Sequence, residues 1–211
     1  MKLKTDKKFT VRIADEGDIK FVPTILEEIE TSAKERGTGI AKRSVSYVEE
    51  KIREGKAIIA FSDKGEWAGF CYIETWSNKE YVANSGLIVA HPFRKDGLAK
   101  KIKEKTFQHS RERYPNSKIF GLTTGLAVMK INSDLGYKPV PYSELTQDEV
   151  FWKGCQSCVN YEILKSKGRK NCLCTGMLYD PKWEKSKGSE KIDKKKLFSK
   201  FDKIKKLIWK K

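Results

Sequence analysis

No apolar run in the 211 residues approaches the ~20 that a bilayer-spanning helix needs, and the charged start Met1–Lys8 has no signal-peptide core. A cytoplasmic protein is the expectation. Cysteine is scarce, at five residues, and in a reducing compartment these read as thiols or metal ligands rather than disulfides. The formal charge of +16, with 34% charged residues, raises the question of a polyanionic partner, yet no nucleic-acid motif accompanies it. More than half of that charge sits in residues 182–211, where thirteen lysines stand against four acids, a net of +9. The overall charge therefore says little about what the rest of the chain binds.

The stretch that organises the chain is Ser85–Glu112. An apolar run breaks at His91-Pro92, passes Arg94-Lys95-Asp96-Gly97-Leu98-Ala99, and continues as a basic, helix-patterned segment. A strand thus runs into a positively charged turn that opens a helix. The first turn of a helix leaves backbone N–H groups without intrahelical partners and carries partial positive charge, which suits a phosphate or pyrophosphate. Gly97 and Ala99 keep the backbone approachable, and Arg94, Lys95, Lys100 and Lys101 add charge around it. The alternative is an ordinary basic strand-to-helix turn.

Arg94-x-x-Gly97-x-Ala99 resembles the acetyl-CoA signature [QR]-x-x-G-x-[GA] of the GNAT acetyltransferases. Val89 and Arg94 match the V-x-x-x-x-R spacing of that family, and Leu135-Gly136-Tyr137 matches its Leu-Gly-Phe/Tyr corner. The resemblance covers roughly residues 10–145 and implies a mixed α/β fold with a mostly antiparallel central sheet and flanking helices. It also implies acetyl-CoA as co-substrate, held by backbone amides after Arg94, with Lys95, Gly97, Leu98, Ala99 and Lys100 at the phosphates. Ile88 and Val89 would meet the pantetheine arm through backbone groups where two strands splay. The family's usual acid, a tyrosine, aligns with Asn132, which can only hydrogen-bond the cofactor.

A narrower resemblance is carried by Ile40-Ala41-Lys42-Arg43-Ser44, the following Val48-Glu49, and Leu122-Thr123-Thr124. These are similar to the acetyltransferase domain of N-acetylglutamate synthases, without that subfamily's amino-acid-kinase domain. What this implies is an amino-acid acceptor of acidic character. Arg43 would be the carboxylate clamp, with Lys42, Thr123 and Thr124 near substrate. The bland alternatives are a solvated loop for Lys42 and Arg43, and plain strand residues for the two threonines.

Along the chain, Phe9–Ala14 alternates as a strand, and Asp15 or Asp18 can cap the helix of Ile19, Val22, Ile25, Leu26 and Ile29. Ser44 is an N-cap after the loop 38–43. Ala57–Phe61, Trp67–Trp76 and Val82–Ala90 form a meander that turns first at Asp63-Lys64-Gly65-Glu66. Lys118–Thr124 is the next strand and Ala127–Leu135 a short helix, with Gly136 at C′. Acyl transfer to an amine needs a base for the amine proton and a proton for the leaving thiolate. Glu74 is the candidate base, the alternative being an outward-pointing strand residue, and Tyr137 is the candidate acid, the alternative being corner packing.

Beyond Pro141, Cys155-x₂-Cys158-x₁₃-Cys172-x-Cys174 offers four thiolates for a tetrahedral, structural zinc. It would pin what the GNAT resemblance implies is a last hairpin, Val159–Leu164 and Cys172–Tyr179, within 152–179. Four uncoordinated thiols, or a redox pair at Cys155 and Cys158, are the alternatives. Cys71 reads as core. Pro181 closes the expected acetyltransferase domain, 1–181, and 182–211 reads as a basic amphipathic helix with Leu197, Phe201, Ile204 and Ile208 on one face. Such a tail suits an anionic membrane surface or nucleic acid backbone, or simply packs on its own domain.

Together these features describe an acyl-CoA-dependent N-acyltransferase acting on the primary amine of a small molecule, with glutamate or a related amino acid in front. A protein, peptide or polyamine acceptor is the alternative within the class. A non-catalytic CoA-binding module tethered by its tail is the alternative outside it.

Overall fold

The computed structural model describes residues 8–184. The chain divides into a unit ending at Tyr179 and a second beginning at Asp180. The amphipathic helix expected over 182–211 lies outside the described residues, apart from 182–184.

The first unit is a seven-stranded sheet in the order β1-β2-β3-β4-β5-β7-β6. Its strands are β1 (Phe9–Ile13), β2 (Ala57–Ser62), β3 (Trp67–Trp76), β4 (Tyr81–Val89), β5 (Lys118–Thr123), β6 (Lys138–Val140) and β7 (Thr175–Tyr179). Every neighbour is antiparallel except β4 and β5. The helices are α1 (Val22–Glu35), α2 (Val45–Arg53), α3 (Leu98–Arg113), α4 (Leu126–Asp134), α5 (Glu149–Lys153) and α6 (Tyr161–Ser166).

Local chemistry fixes the ends of these elements. Asp15 and Asp18 form a reciprocal capping box on the 3-10 turn Glu16–Phe21, and Arg12 grips Asp18 with two hydrogen bonds of 2.6 and 2.8 Å. Ser44 caps α2 by accepting from the Tyr47 amide. Gly136 takes φ +89° after α4, as a C′ residue does.

Alternation along β3 sorts the core into two layers. Phe70 and Tyr72 pack with Val22, Ile25 and Ile29 of α1 and Val48 and Ile52 of α2. Cys71 faces the other way, onto Leu98 and Ile102 of α3, and Ile73 packs with Val82, Ile119 and Tyr137. Each of the fully buried side chains in these layers is worth about 1.5–3 kcal/mol over leaving it in water.

One expectation is corrected. Residues 152–179 are not a hairpin: Val159–Leu164 runs into helix α6, and β7 pairs with β5 and with the short β6. The expectation of a strand here comes from the last hairpin of the family that the sequence resembles. Yet Val159 is 83% exposed and Ile163 38%, while Leu164 is the side chain that the helix buries.

Candidate active site

β4 and β5 are parallel partners over only three residue pairs, Tyr81–Ala83 against Lys118–Phe120. Past Ala83, β4 follows β3 and β5 follows β7, so the two strands diverge into a wedge. Within the diverging part, the β3–β4 register slips between Phe70↔Ile88 and Tyr72↔Ser85, and Gly86 takes φ +65°. This bulge turns backbone away from the ladder. Gly86 is also required sterically, because a Cβ there would strike the Tyr72 ring.

β4 ends at a short 3-10 turn, His91–Phe93, and the chain then enters α3 through two left-handed residues, Lys95 at φ +70° and Gly97 at φ +77°. Gly97 is the N-cap of α3 and, having no side chain, makes no cap hydrogen bond to the first turn. Lys95 and Lys100 are exposed beside it, Ala99 is half-buried, and Leu98 turns into the core. Arg94 is placed differently from its basic neighbours. Its guanidinium donates to Glu28 at 2.7 Å, to Ser32 and, at 3.5 Å, to Glu35, while Nε donates to the Val89 carbonyl at 3.2 Å. Arg94 therefore braces the turn against α1, and the amides that follow it are the feature of the turn that suits an anion.

The residues suit a CoA-like ligand in three respects: an uncapped helix start amid lysines, a wedge of unpaired strand edge, and a buried amide oxygen. Asn132, 2% exposed on α4, leaves its Oδ1 without a hydrogen-bond partner. Ile88 and Val89 lie on the diverging part of β4 with their side chains buried.

On the α1/α2 face four polar side chains come together. Arg43 donates to the Tyr72 hydroxyl and, at 2.6 Å, to the Ala41 carbonyl, and its guanidinium lies 5.5 Å from the Tyr72 ring centroid. Tyr47, in the first turn of α2, donates to Glu74. The Tyr47 and Tyr72 rings meet edge to face at 6.2 Å. Burial acts to lower the Arg43 pKa, and Tyr72, Glu74 and Tyr47 outweigh it, leaving the cation favoured. Burial, then Glu74, raises the Tyr47 hydroxyl, so it stays a donor. Glu74 and Tyr72 share a face because they are two residues apart on a strand. That spacing, and the position of Tyr47 three residues after the Ser44 cap, are the only sequence signals for the two tyrosines, which the sequence reading did not single out.

Other expected site residues are placed apart from this cluster. Tyr137 is 2% exposed in the opposite layer, its hydroxyl donating to Asn84 Oδ1 at 2.9 Å and raised well above its ordinary pKa by burial. Asn84 also accepts from the fully buried Lys103 at 2.9 Å and donates to Ser110 at 3.0 Å. Burial lowers Lys103 to about 8. Thr123 and Thr124 are half-buried at the end of β5, and Thr123 Oγ1 accepts from the Gly125 amide at 3.0 Å. The Lys42 side chain is exposed, while its backbone amide donates to Ser157 Oγ at 2.9 Å.

Cys155, Cys158, Cys172 and Cys174 all line one cavity of about 30 Å³, with Tyr142 and Trp152 among its other walls. Burial and the neighbouring cysteines raise Cys155 to about 11 and Cys174 to about 12. As the side chains stand, no group of three or more His, Cys, Asp or Glu among the described residues is placed to hold a metal ion. No helix among the described residues is long and apolar enough to cross a membrane.

Neither a family model nor a curated protein matches this sequence. Solved structures do match. N-acetylglutamate synthase from Neisseria gonorrhoeae, complexed with coenzyme A and N-acetyl-glutamate, is 18% identical at TM-score 0.58, over 82% of this chain and 35% of the synthase. This chain thus spans about a third of that enzyme's length. Rv2747 from Mycobacterium tuberculosis, in complex with CoA, is 19% identical at TM-score 0.58, over 81% of this chain and 98% of the other. The protein yncA from Salmonella typhimurium, with its cofactor acetyl-CoA, is 15% identical at TM-score 0.55, over 82% of this chain and 94% of the other. Strand order, wedge, bulge and uncapped helix start together give this chain the fold of the GNAT acetyltransferases.

Proposed function

We propose that the chain is an acyl-CoA-dependent N-acyltransferase that uses acetyl-CoA and acylates the α-amino group of a small amino acid of acidic character. The observation that carries this reading is one cluster beside the β4 bulge, in which Arg43 donates to Tyr72, Tyr47 donates to Glu74, and the two tyrosine rings meet edge to face. A cation and a carboxylate in one cluster complement an amino acid's own two charges. Arg43 binds a substrate carboxylate, and Glu74 receives the amine proton.

In this reading the diphosphate of CoA lies on the amides of Gly97, Leu98 and Ala99, and the pantetheine arm fills the wedge as a surrogate strand beside Ile88 and Val89. The neutral amine attacks the thioester carbonyl carbon, the C–S bond breaks, and the amine's proton ends on the departing sulfur by way of Glu74 or water. Tyr137 is a poor acid for that step, because its hydroxyl is committed to Asn84. Most of the acceleration then comes from holding amine and thioester together. The structures of Neisseria N-acetylglutamate synthase with N-acetyl-glutamate and of yncA with acetyl-CoA support the donor and the class of acceptor by likeness of fold.

The test is thiol release from acetyl-CoA and succinyl-CoA with each standard amino acid, for wild type and Arg43→Ala. Turnover with an acidic amino acid that collapses in the variant, while CoA binding persists, is the expected result. CoA binding without thiol release for any amino acid would overturn the reading and favour a peptide or polyamine acceptor, or a binding module.

A further inference from the structure

The segment carrying the four clustered cysteines does not end at its own turns. Lys42, next to Arg43, donates its backbone amide to Ser157 Oγ at 2.9 Å. A Cβ at Gly39 would collide with Cys158 Sγ and with the Asn160 side chain, so loop 38–43 lies flat on the turn Cys155–Asn160. That turn has two features of a metal knuckle: the Cys158 amide donates to the Cys155 carbonyl at 3.0 Å, and the Asn160 amide points at Cys158 Sγ at 3.5 Å. An N–H aimed at sulfur stabilises a thiolate ligand and fixes its direction. Cys172 and Cys174 meet this turn across the shared cavity from the strand side, where Tyr142 donates to the Cys174 carbonyl at 2.7 Å. The cavity, at about 30 Å³, exceeds the ~10–15 Å³ that a single water needs. Its walls offer sulfur and apolar carbon rather than oxygen, a donor set that selects a soft or borderline cation over magnesium or calcium.

We propose that Cys155, Cys158, Cys172 and Cys174 close around one zinc ion, and that this site clasps loop 38–43 in the position that presents Arg43. Closure requires the four side chains to swing into their common cavity, since they stand outside ligating geometry in this structure. Each thiol gives up its proton on binding, so four S–H bonds are exchanged for four Zn–S bonds with no change of oxidation state. The site is closed to substrate and does no chemistry. Its functional effect passes through the loop, and that part rests on the reading of Arg43 given above.

The experiment begins with the full-length protein purified under reducing conditions without chelator. Elemental analysis is expected to give one zinc per chain. Titration with an organomercurial is expected to release it as the four thiols react, and cobalt exchange to produce the charge-transfer bands of a tetrahedral thiolate site. Cys158→Ser and Cys172→Ser should each lose the metal, whereas Cys71→Ala should keep it. The clasp is read separately: zinc-depleted protein should show an acceptor KM raised about tenfold, the scale of losing one charge-assisted contact, with CoA affinity within about twofold. Metal far below one per chain, iron in place of zinc, or a Cys155–Cys158 disulfide in the reduced preparation would overturn the site. Stoichiometric zinc whose removal leaves acceptor KM unchanged would overturn the clasp. Stoichiometric zinc in a protein that turns over no amino acid would overturn the proposed function and leave the metal site standing.

Discussion

Tyr47 reaches from the first turn of α2 to donate its hydroxyl hydrogen to Glu74, twenty-seven residues later and on strand β3. The bond orders the carboxylate, and burial followed by Glu74 keeps the tyrosine protonated. Replacing Glu74 with Gln keeps the shape and removes the base, so kcat should fall about 10²–10⁴-fold. CoA affinity, measured by calorimetry, should hardly change. Tyr47→Phe should cost less, because Glu74 keeps its position on the strand. A Glu74→Gln enzyme with wild-type kcat would remove Glu74 from the chemistry.

Arg43→Lys tests geometry at constant charge. The guanidinium contacts Tyr72, the Ala41 carbonyl and the substrate carboxylate assigned to it, a set of directions that a lysine cannot reproduce. Acceptor KM should rise roughly tenfold or more, the scale of a lost charge-assisted hydrogen bond, with the KM for acetyl-CoA unchanged. Equal rises in both constants would show a folding defect instead.

Two glycines separate conformational from steric need. At Gly97 nothing lies within 4 Å of an added Cβ, so Gly97→Ala meets only the left-handed backbone penalty, about 1–2 kcal/mol. It should lower Tm modestly and weaken CoA binding by about tenfold, as 1.4 kcal/mol does. Gly86→Ala adds a collision with the Tyr72 ring, which holds Arg43, and should raise acceptor KM as well. The two variants thus differ in which substrate constant moves.

Lys103 makes stability depend on pH. Buried beside Asn84, it releases its proton at about 8 when folded, against 10.5 as its ordinary value. Between those two values the unfolded chain binds the extra proton, so this residue makes stability rise with pH across the window. Below about pH 8 the charged amine is buried at full cost. Lys103→Met should therefore be the more stable protein near pH 7, by on the order of 3 kcal/mol, with the gap closing as pH climbs towards 10.5. Tyr137 continues to serve Asn84 Oδ1 in the variant. Melting curves of both proteins across pH 6–10 are the check, and a gap independent of pH would refute it.

Much of the architecture is legible in the residues because it is locally encoded. Asp15, Ser44 and Gly136 act within a few positions of themselves, and the meander from Ala57 to Val89 follows from alternation and one polar turn. Val159–Leu164 misleads because the hairpin expected from the resemblance is replaced here by helix α6, with Val159 and Ile163 exposed. In the site, the wedge follows from the motif's resemblance and Glu74 from its strand. The destination of Arg94 does not, since Glu28 lies sixty-six residues earlier and only tertiary packing brings them together. The same holds for Tyr72 with Arg43, and for the loop that rests on the cysteine turn 115 residues away.

The three-pair seam between β4 and β5 also bears on how the molecule assembles. The β2–β4 meander closes short loops, which costs little chain entropy. The seam must instead close across the whole of α3, and has three residue pairs to show for it. Strands β5 to β7 therefore join an existing scaffold late, so destabilising changes at the seam should speed unfolding far more than they slow folding.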